Sequence, residues 1–84
     1  MTVETGTVTV RYFAAAAEAA GTTTETFAAR TAGELRAAMQ AEHGVDLARV
    51  LTRCSLLADG VRLSDDATPV TGTTVDVLPP FAGG

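Results

Sequence analysis

Hydrophobic and polar residues alternate near the start of the chain, over residues 7–13. One side of an extended backbone there would carry Val8, Val10 and Tyr12. β-Branched and aromatic residues in this alternation predict a β-strand with one buried face. The alanine-rich residues 14–20 follow at once and predict a short helix, which Gly21 would end in a left-handed conformation.

The middle of the chain changes from a period of two residues to the period of a helix. Residues 22–27 are β-prone but mostly polar, which predicts an edge strand antiparallel to the first. Thr31 and Glu34 have the spacing of a capping box, in which each side chain accepts a hydrogen bond from the other's backbone amide. Leu35 and Met39 would then face the core along the main helix.

A second, shorter helical segment is predicted after Gly44, which would end the main helix. Asp46 would be its N-cap. The apolar residues that share one side of this segment are Leu47, Val50 and Leu51. They would pack on the same core as the main helix.

Two further hydrophobic runs flank Asp59 and Gly60, a dipeptide that favours the positive φ angles of a tight hairpin turn. We expect these runs to add to the core Leu56, Leu57, Val61 and Leu63. Residues 73–78 alternate again and predict the last strand. A helix between two pairs of strands allows a late strand to lie parallel to an early one. The order predicts an α+β fold, a mixed sheet of roughly four to five strands with one main helix packed on one face.

Residues 79–84 predict an extended tail on a domain that spans residues 1–78. Pro79 and Pro80 have fixed φ angles and no backbone donors, so the last strand cannot continue through them. The tail should therefore leave the sheet as a fairly stiff arm.

The tail carries one large apolar residue and ends on two glycines. An exposed Phe81 would fill a pocket of a partner. Gly83 and Gly84 have no Cβ, so they could pass through a channel as narrow as the backbone. The α-carboxylate of Gly84 is the reactive group that we expect. A frayed and inert chain end is the alternative interpretation of such a dipeptide.

Composition excludes several classes of function. The net charge is −4, the six cations are scattered arginines, and lysine is absent. Such a chain has no basic patch for nucleic acid and suits docking to basic protein surfaces instead. It has no membrane-spanning run and no pattern of a signal peptide, so we expect a cytoplasmic protein.

Catalytic and metal-binding constellations are not evident. Cys54 is the only cysteine and is interpreted as a small buried hydrophobic residue, while His43, the only histidine, would lie at the end of the main helix. The adjacent acids Asp65 and Asp66 are typical of a solvated loop rather than a metal site. No metal ligand set is therefore predicted, and the chain is not expected to be an enzyme on its own.

These features together resemble the ubiquitin-like β-grasp proteins, and among them the sulfur carriers of the MoaD/ThiS type, with the strongest resemblance to the small subunits of molybdopterin synthase. The residues that carry the resemblance are 10–14 with Glu18 and Gly21 behind them, the hairpin 57–60, and the ending 77–84. The ending is the most specific of these.

The resemblance implies a cycle at the C-terminus. A MoeB/ThiF-like adenylating enzyme would use ATP to convert the Gly84 carboxylate into a glycyl adenylate, and a sulfurtransferase or other persulfide donor would convert that into a thiocarboxylate. A MoaE-like large subunit of molybdopterin synthase, in a heterotetramer, would accept the tail and its sulfur. The resemblance assigns tail threading and partner binding to Pro79, Pro80, Phe81, Ala82 and Gly83. It implies no permanently bound cofactor.

Two alternatives remain open from the sequence. A carrier of the same chemistry could serve the biosynthesis of cysteine, thiamine or a thio-containing metabolite. A ubiquitin-like modifier would instead be joined through Gly84 to lysines of target proteins.

Overall fold

The computed structural model describes residues 6–80 of the chain. Its elements, in order, are β1 (Thr7–Tyr12), α1 (Ala15–Ala20), β2 (Thr24–Ala28), α2 (Ala32–His43), α3 (Val45–Leu51), β3 (Ser55–Ala58), β4 (Val61–Arg62) and β5 (Thr74–Leu78). The five strands form one sheet in the order β2-β1-β5-β3-β4. β1 and β5 are parallel, and the other neighbours are antiparallel.

This architecture confirms the predicted α+β fold of the ubiquitin-like β-grasp class. β2 is an edge strand antiparallel to β1, and the helical crossover places β5 parallel to β1, as the sequence predicts. The described residues form three helices, of which α2 is the longest with 12 residues. Gly21 ends α1 with a φ of 74°, the left-handed conformation expected of it.

The core lies between one face of the sheet and the helices. Its fully buried side chains of largest volume are Tyr12, Leu35, Met39, Leu47, Leu56, Val8, Val10, Val70, Val75 and Val77. Among residues 6–80 no polar or charged residue is buried, and the partly buried hydroxyl group of the core residue Tyr12 has a hydrogen-bond partner. The predicted inward faces of the first strand and of the main helix are thereby confirmed.

Two of the residues predicted for the core are not in it. Leu56 and Leu63 are buried, but Leu57 is half-buried and Val61 is 68% exposed. Leu57 lies opposite Asp76 of β5, so it points to the uncovered face of the sheet. Val61 belongs to a two-residue edge strand with a neighbour on one side only. A short apolar run does not reveal which of its residues alternate outward.

The predicted helix caps are only partly correct. The Thr31 hydroxyl accepts a hydrogen bond from the Glu34 amide at 3.2 Å, but the Glu34 carboxylate accepts from the amide of Arg30 at 2.8 Å, one residue before the expected donor. Asp46 is not an N-cap, because α3 begins one residue earlier, at Val45. Gly44 is the cap and has a φ of 82°, which favours glycine.

Candidate functional site

The last strand brings the root of the tail out of the middle of the sheet. β5 pairs with β1 on one side and with β3 on the other, and its final residue Leu78 lies opposite Ser55. Pro79 and Pro80 follow without amide N–H groups, so the ladder of hydrogen bonds cannot extend along the tail. The direction in which the tail leaves the domain is therefore fixed by a strand held on both edges.

Only part of the predicted site falls within the described residues. Pro79 is half-buried and Pro80 is exposed. Four of the residues predicted to react or to bind partners lie outside the described residues, namely Phe81, Ala82, Gly83 and Gly84. Their roles stay predictions.

Pro79 and Pro80 form one wall of a cavity of about 400 Å³. The remaining lining comes from α1, α3 and the turn after α3, with Ala15, Ala16, Arg49, Val50, Arg53 and Cys54. The alanines of α1 leave this space because their side chains are short. We call this cavity, with these eight lining residues, the tail-root pocket.

Two arginines bring positive charge to the tail-root pocket. Arg49 is in the last turn of α3, and Arg53 follows four residues later, just beyond the end of the helix. Both residues are exposed. The ion pairs found among residues 6–80 join Arg11 to Asp76, Arg36 to Asp66 and His43 to Glu25, so neither pocket arginine has an acidic partner in this part of the chain. The sequence alone does not reveal that Arg49 and Arg53 are neighbours of the tail, because only the fold brings them there.

The uncovered face of the sheet carries a second polar feature. Arg11 of β1 donates to both carboxylate oxygens of Asp76, at 2.6 Å from Nε and 2.9 Å from Nη2. The hydrogen bond and the charge of Asp76 raise the pKa of Arg11. Leu57 and Leu78 lie on the same face, and both are half-buried. This face therefore carries apolar side chains next to an ion pair that is joined by two hydrogen bonds.

Cys54 lines the tail-root pocket, and its side chain is half-buried. Burial raises the pKa of the Cys54 thiol. The protonated thiol is a poor nucleophile, since the thiolate is the reactive form. The structure thus favours the predicted hydrophobic role for Cys54 over a reactive one.

His43 has a partner that the sequence did not reveal. It ends α2 as expected, but its Nε2 lies 2.6 Å from Oε1 of Glu25 on β2. The Tyr12 hydroxyl donates to the same oxygen at 2.9 Å, and the rings of Tyr12 and His43 meet edge to face. This cluster ties two strands to the end of α2. Burial, followed by the hydrogen bond to Glu25, raises the pKa of Tyr12.

Other kinds of site are not found in the described part of the chain. Residues 6–80 contain no group of three or more histidine, cysteine, aspartate or glutamate side chains placed to bind a metal ion. Within the same residues, no helix has the length and apolar character that crossing a membrane requires.

Comparison with protein families identifies a family for most of the chain. The model of the ThiS family matches residues 10–84, which is most of the chain and includes the tail. The chain belongs to the ThiS family. Its predicted membership among sulfur carriers of the MoaD/ThiS type is confirmed. No curated protein sequence matches this ThiS-family chain.

Solved structures agree with the fold of this ThiS-family chain. Small archaeal modifier protein 1 from Methanosarcina acetivorans superposes with a TM-score of 0.81 at 20% identity, covering 98% of this chain and 100% of the other. SAMP1 from Haloferax volcanii gives a TM-score of 0.77 at 23% identity and covers 94% and 100% of the two chains. A structure of the complex of subunits 1 and 2 of molybdopterin-converting factor from Helicobacter pylori gives 0.70 at 26% identity, with coverage of 93% and 99%.

The family and its fold define what kind of protein this is. The ThiS family and these structural neighbours are small ubiquitin-like carriers or modifiers, and this chain is a protein of that kind. In the Helicobacter pylori structure, the relative is in complex with a second subunit of the same factor.

Proposed function

We propose that this protein is a sulfur carrier, that its Gly84 carboxylate becomes a thiocarboxylate, and that it donates this sulfur as the small subunit of molybdopterin synthase. The observation that carries the proposal is the family match, which runs through residue 84 and so includes both glycines of the tail. The central position of β5 supports it, because a strand held on both edges gives the tail a fixed origin.

The chemistry proposed for Gly84 occurs in three steps. A carboxylate oxygen attacks the α-phosphorus of ATP, pyrophosphate leaves, and the carbonyl carbon gains AMP as a leaving group. The terminal sulfur of a persulfide then attacks this carbon and displaces AMP. A second thiol cleaves the resulting acyl disulfide, which leaves the thiocarboxylate on Gly84 and a disulfide on the donor. The domain itself contributes a tail that is narrow at its end and oriented at its root.

The intact mass of the protein tests this proposal. Incubation with ATP, an adenylating enzyme and a persulfide donor should add the mass difference between one sulfur and one oxygen, located in the C-terminal peptide. A chain that lacks Gly84 should keep its circular dichroism spectrum and gain no such mass. Thiocarboxylate on the shortened chain would contradict the assignment to Gly84.

The sulfur acceptor needs a separate experiment. A molybdopterin synthase built from this chain and a large subunit should convert a pterin precursor only when the carrier is thiocarboxylated. Sulfur transfer to a cysteine-, thiamine- or thio-metabolite-forming enzyme instead would support a different acceptor with the same carrier chemistry.

A second candidate function follows from the structural neighbours. Two of them are archaeal modifier proteins of nearly the same length, and their fold is also that of this chain. A modifier would be attached through Gly84 to lysines of other proteins. Gly-Gly remnants on target lysines, without any thiocarboxylate on the free protein, would favour this function over sulfur transfer.

A further inference from the structure

The tail-root pocket has two kinds of lining. Six lining residues have apolar side chains, namely Ala15, Ala16, Val50, Cys54, Pro79 and Pro80, whereas Arg49 and Arg53 contribute two positive charges. A volume of about 400 Å³ is sufficient for one or two side chains of a partner. This combination fits a segment that carries an acidic residue next to an apolar one.

The charges favour an anionic occupant. The chain has a net charge of −4, yet two of its six arginines lie at one small cavity. Arg11 and Arg36 are neutralised by Asp76 and Asp66, while no acid of residues 6–80 lies within ion-pair distance of Arg49 or Arg53. A carboxylate brought by another molecule would reduce the repulsion between the two guanidinium groups and accept hydrogen bonds from both.

The position of the pocket indicates which molecule brings that carboxylate. Pro79 and Pro80, which begin the tail, are themselves lining residues. A protein that takes up the end of the tail must therefore pass close to the pocket. This step rests on the proposed function, because it requires that a partner enzyme receives Gly84.

We propose that the tail-root pocket is the docking site for an acidic segment of the tail-processing partner. An aspartate or glutamate of that segment binds between Arg49 and Arg53, and a neighbouring apolar side chain packs on Val50 and the two prolines. The contact orients the partner relative to the tail.

A peptide titration tests the chemistry of the pocket without any partner enzyme. The probe is the blocked peptide acetyl-Glu-Leu-Glu-amide, added to ¹⁵N-labelled full-length protein, with acetyl-Gln-Leu-Gln-amide as its neutral match. The acidic peptide should shift amide signals of α1 and α3 with a dissociation constant on the order of millimolar, as expected for so small a ligand. The neutral peptide should bind at least about fivefold more weakly.

Two double variants with the same change of net charge separate the pocket from general electrostatics. R49E/R53E should abolish the peptide-induced shifts. R30E/R62E changes two other arginines, which do not line the pocket and have no ion pair among residues 6–80, and should retain the shifts. R49Q/R53Q gives the same test with a smaller disturbance of α3, and thermal melting verifies that each variant is folded.

Three outcomes of the titration would overturn the proposal: equal binding of the two peptides, shifts that map away from α1 and α3, or no shifts at all. If the acidic peptide bound much more tightly to a chain that ends at Pro80 than to the full-length protein, the protein's own tail would be the occupant of the pocket. That result would also overturn the proposal.

An enzymatic measurement then tests the partner. For thiocarboxylation by the adenylating enzyme, R49E/R53E should lower kcat/KM about tenfold relative to R30E/R62E, and the difference should shrink in high salt. Equal values for the two variants would refute this docking role while leaving the carrier function intact. Failure of the wild-type protein to react would instead refute the proposed function, and the titration would still decide whether the pocket binds acidic segments.

Discussion

Two valines on either side of Ala58 allow a direct test of how burial stabilises this sheet. Val75 of β5 and Val61 of β4 are both Cα partners of Ala58. Val75 is fully buried and also lies beside Val10, whereas Val61 is 68% exposed and has a strand on one side only. The same substitution by alanine therefore probes two environments that flank a single residue.

The expected costs differ severalfold. Val75→Ala removes two buried methyl groups, worth about 0.8 kcal/mol each in transfer, and leaves a cavity, so the unfolding free energy should fall by about 2–3 kcal/mol. Val61→Ala removes the same atoms from a mostly solvated position and should cost about 0.5 kcal/mol or less. A domain of this size loses about 4–8 °C in Tm per kcal/mol, which predicts a fall of roughly 8–24 °C for Val75→Ala and of about 4 °C or less for Val61→Ala.

Urea denaturation followed by far-UV circular dichroism measures both values. The slopes of the transitions should be unchanged, which would show that the variants expose the same surface on unfolding. Similar costs for the two variants, or a cost below about 1 kcal/mol for Val75→Ala, would refute the assignment of a buried and an exposed neighbour to Ala58.

Three further predictions concern the backbone, a buried hydroxyl and a cap. Ala14 has a φ of 55° and ψ of −127°, a conformation that favours glycine, so Ala14→Gly should raise the unfolding free energy by about 0.5–1 kcal/mol in urea; a loss of stability would contradict this. Tyr12 is the only tyrosine, and its pKa is raised above the unfolded value of about 10; the folded state therefore holds the proton longer, and stability should fall as the pH rises above about 10. Near-UV absorbance should show no phenolate at pH values where the urea-unfolded chain has already ionised, and coincident titrations would exclude the effect. Thr31→Ala should cost about 1 kcal/mol by removing the cap of α2, whereas the exposed Thr52→Ala should cost less in the same melts.

The elements in which hydrophobic residues repeat regularly over a long stretch could be predicted from the sequence. β1 alternates over its full length and α2 carries its apolar residues at helical spacing, so the inward sides of both follow from local pattern alone. Leu57 and Val61 lie in strands of four and two residues, where the inward and outward positions depend on the register with β5 and on the edge of the sheet. That register is a tertiary property, which short apolar runs do not contain.

The candidate site also has a part that the sequence predicts and a part that only the fold reveals. The terminal glycines and the prolines are a local signal, and this signal is enough to indicate the family. Arg49 and Arg53 lie near the tail only because the fold places α3 beside Pro79 and Pro80, which are far from α3 in sequence. Glu25 likewise joins Tyr12 and His43 only through the pairing of β1 with β2 and the packing of α2.

The central position of β5 has a mechanical consequence. Any partner that draws the tail into a narrow channel pulls on Leu78, and this residue ends a strand bonded to β1 and to β3. A pull along the strand axis is shared by both ladders, so many hydrogen bonds must break together, whereas an edge strand could be peeled away bond by bond. The domain can therefore resist a pulling force on its tail. A partner can draw the tail away from the domain surface while the domain stays folded.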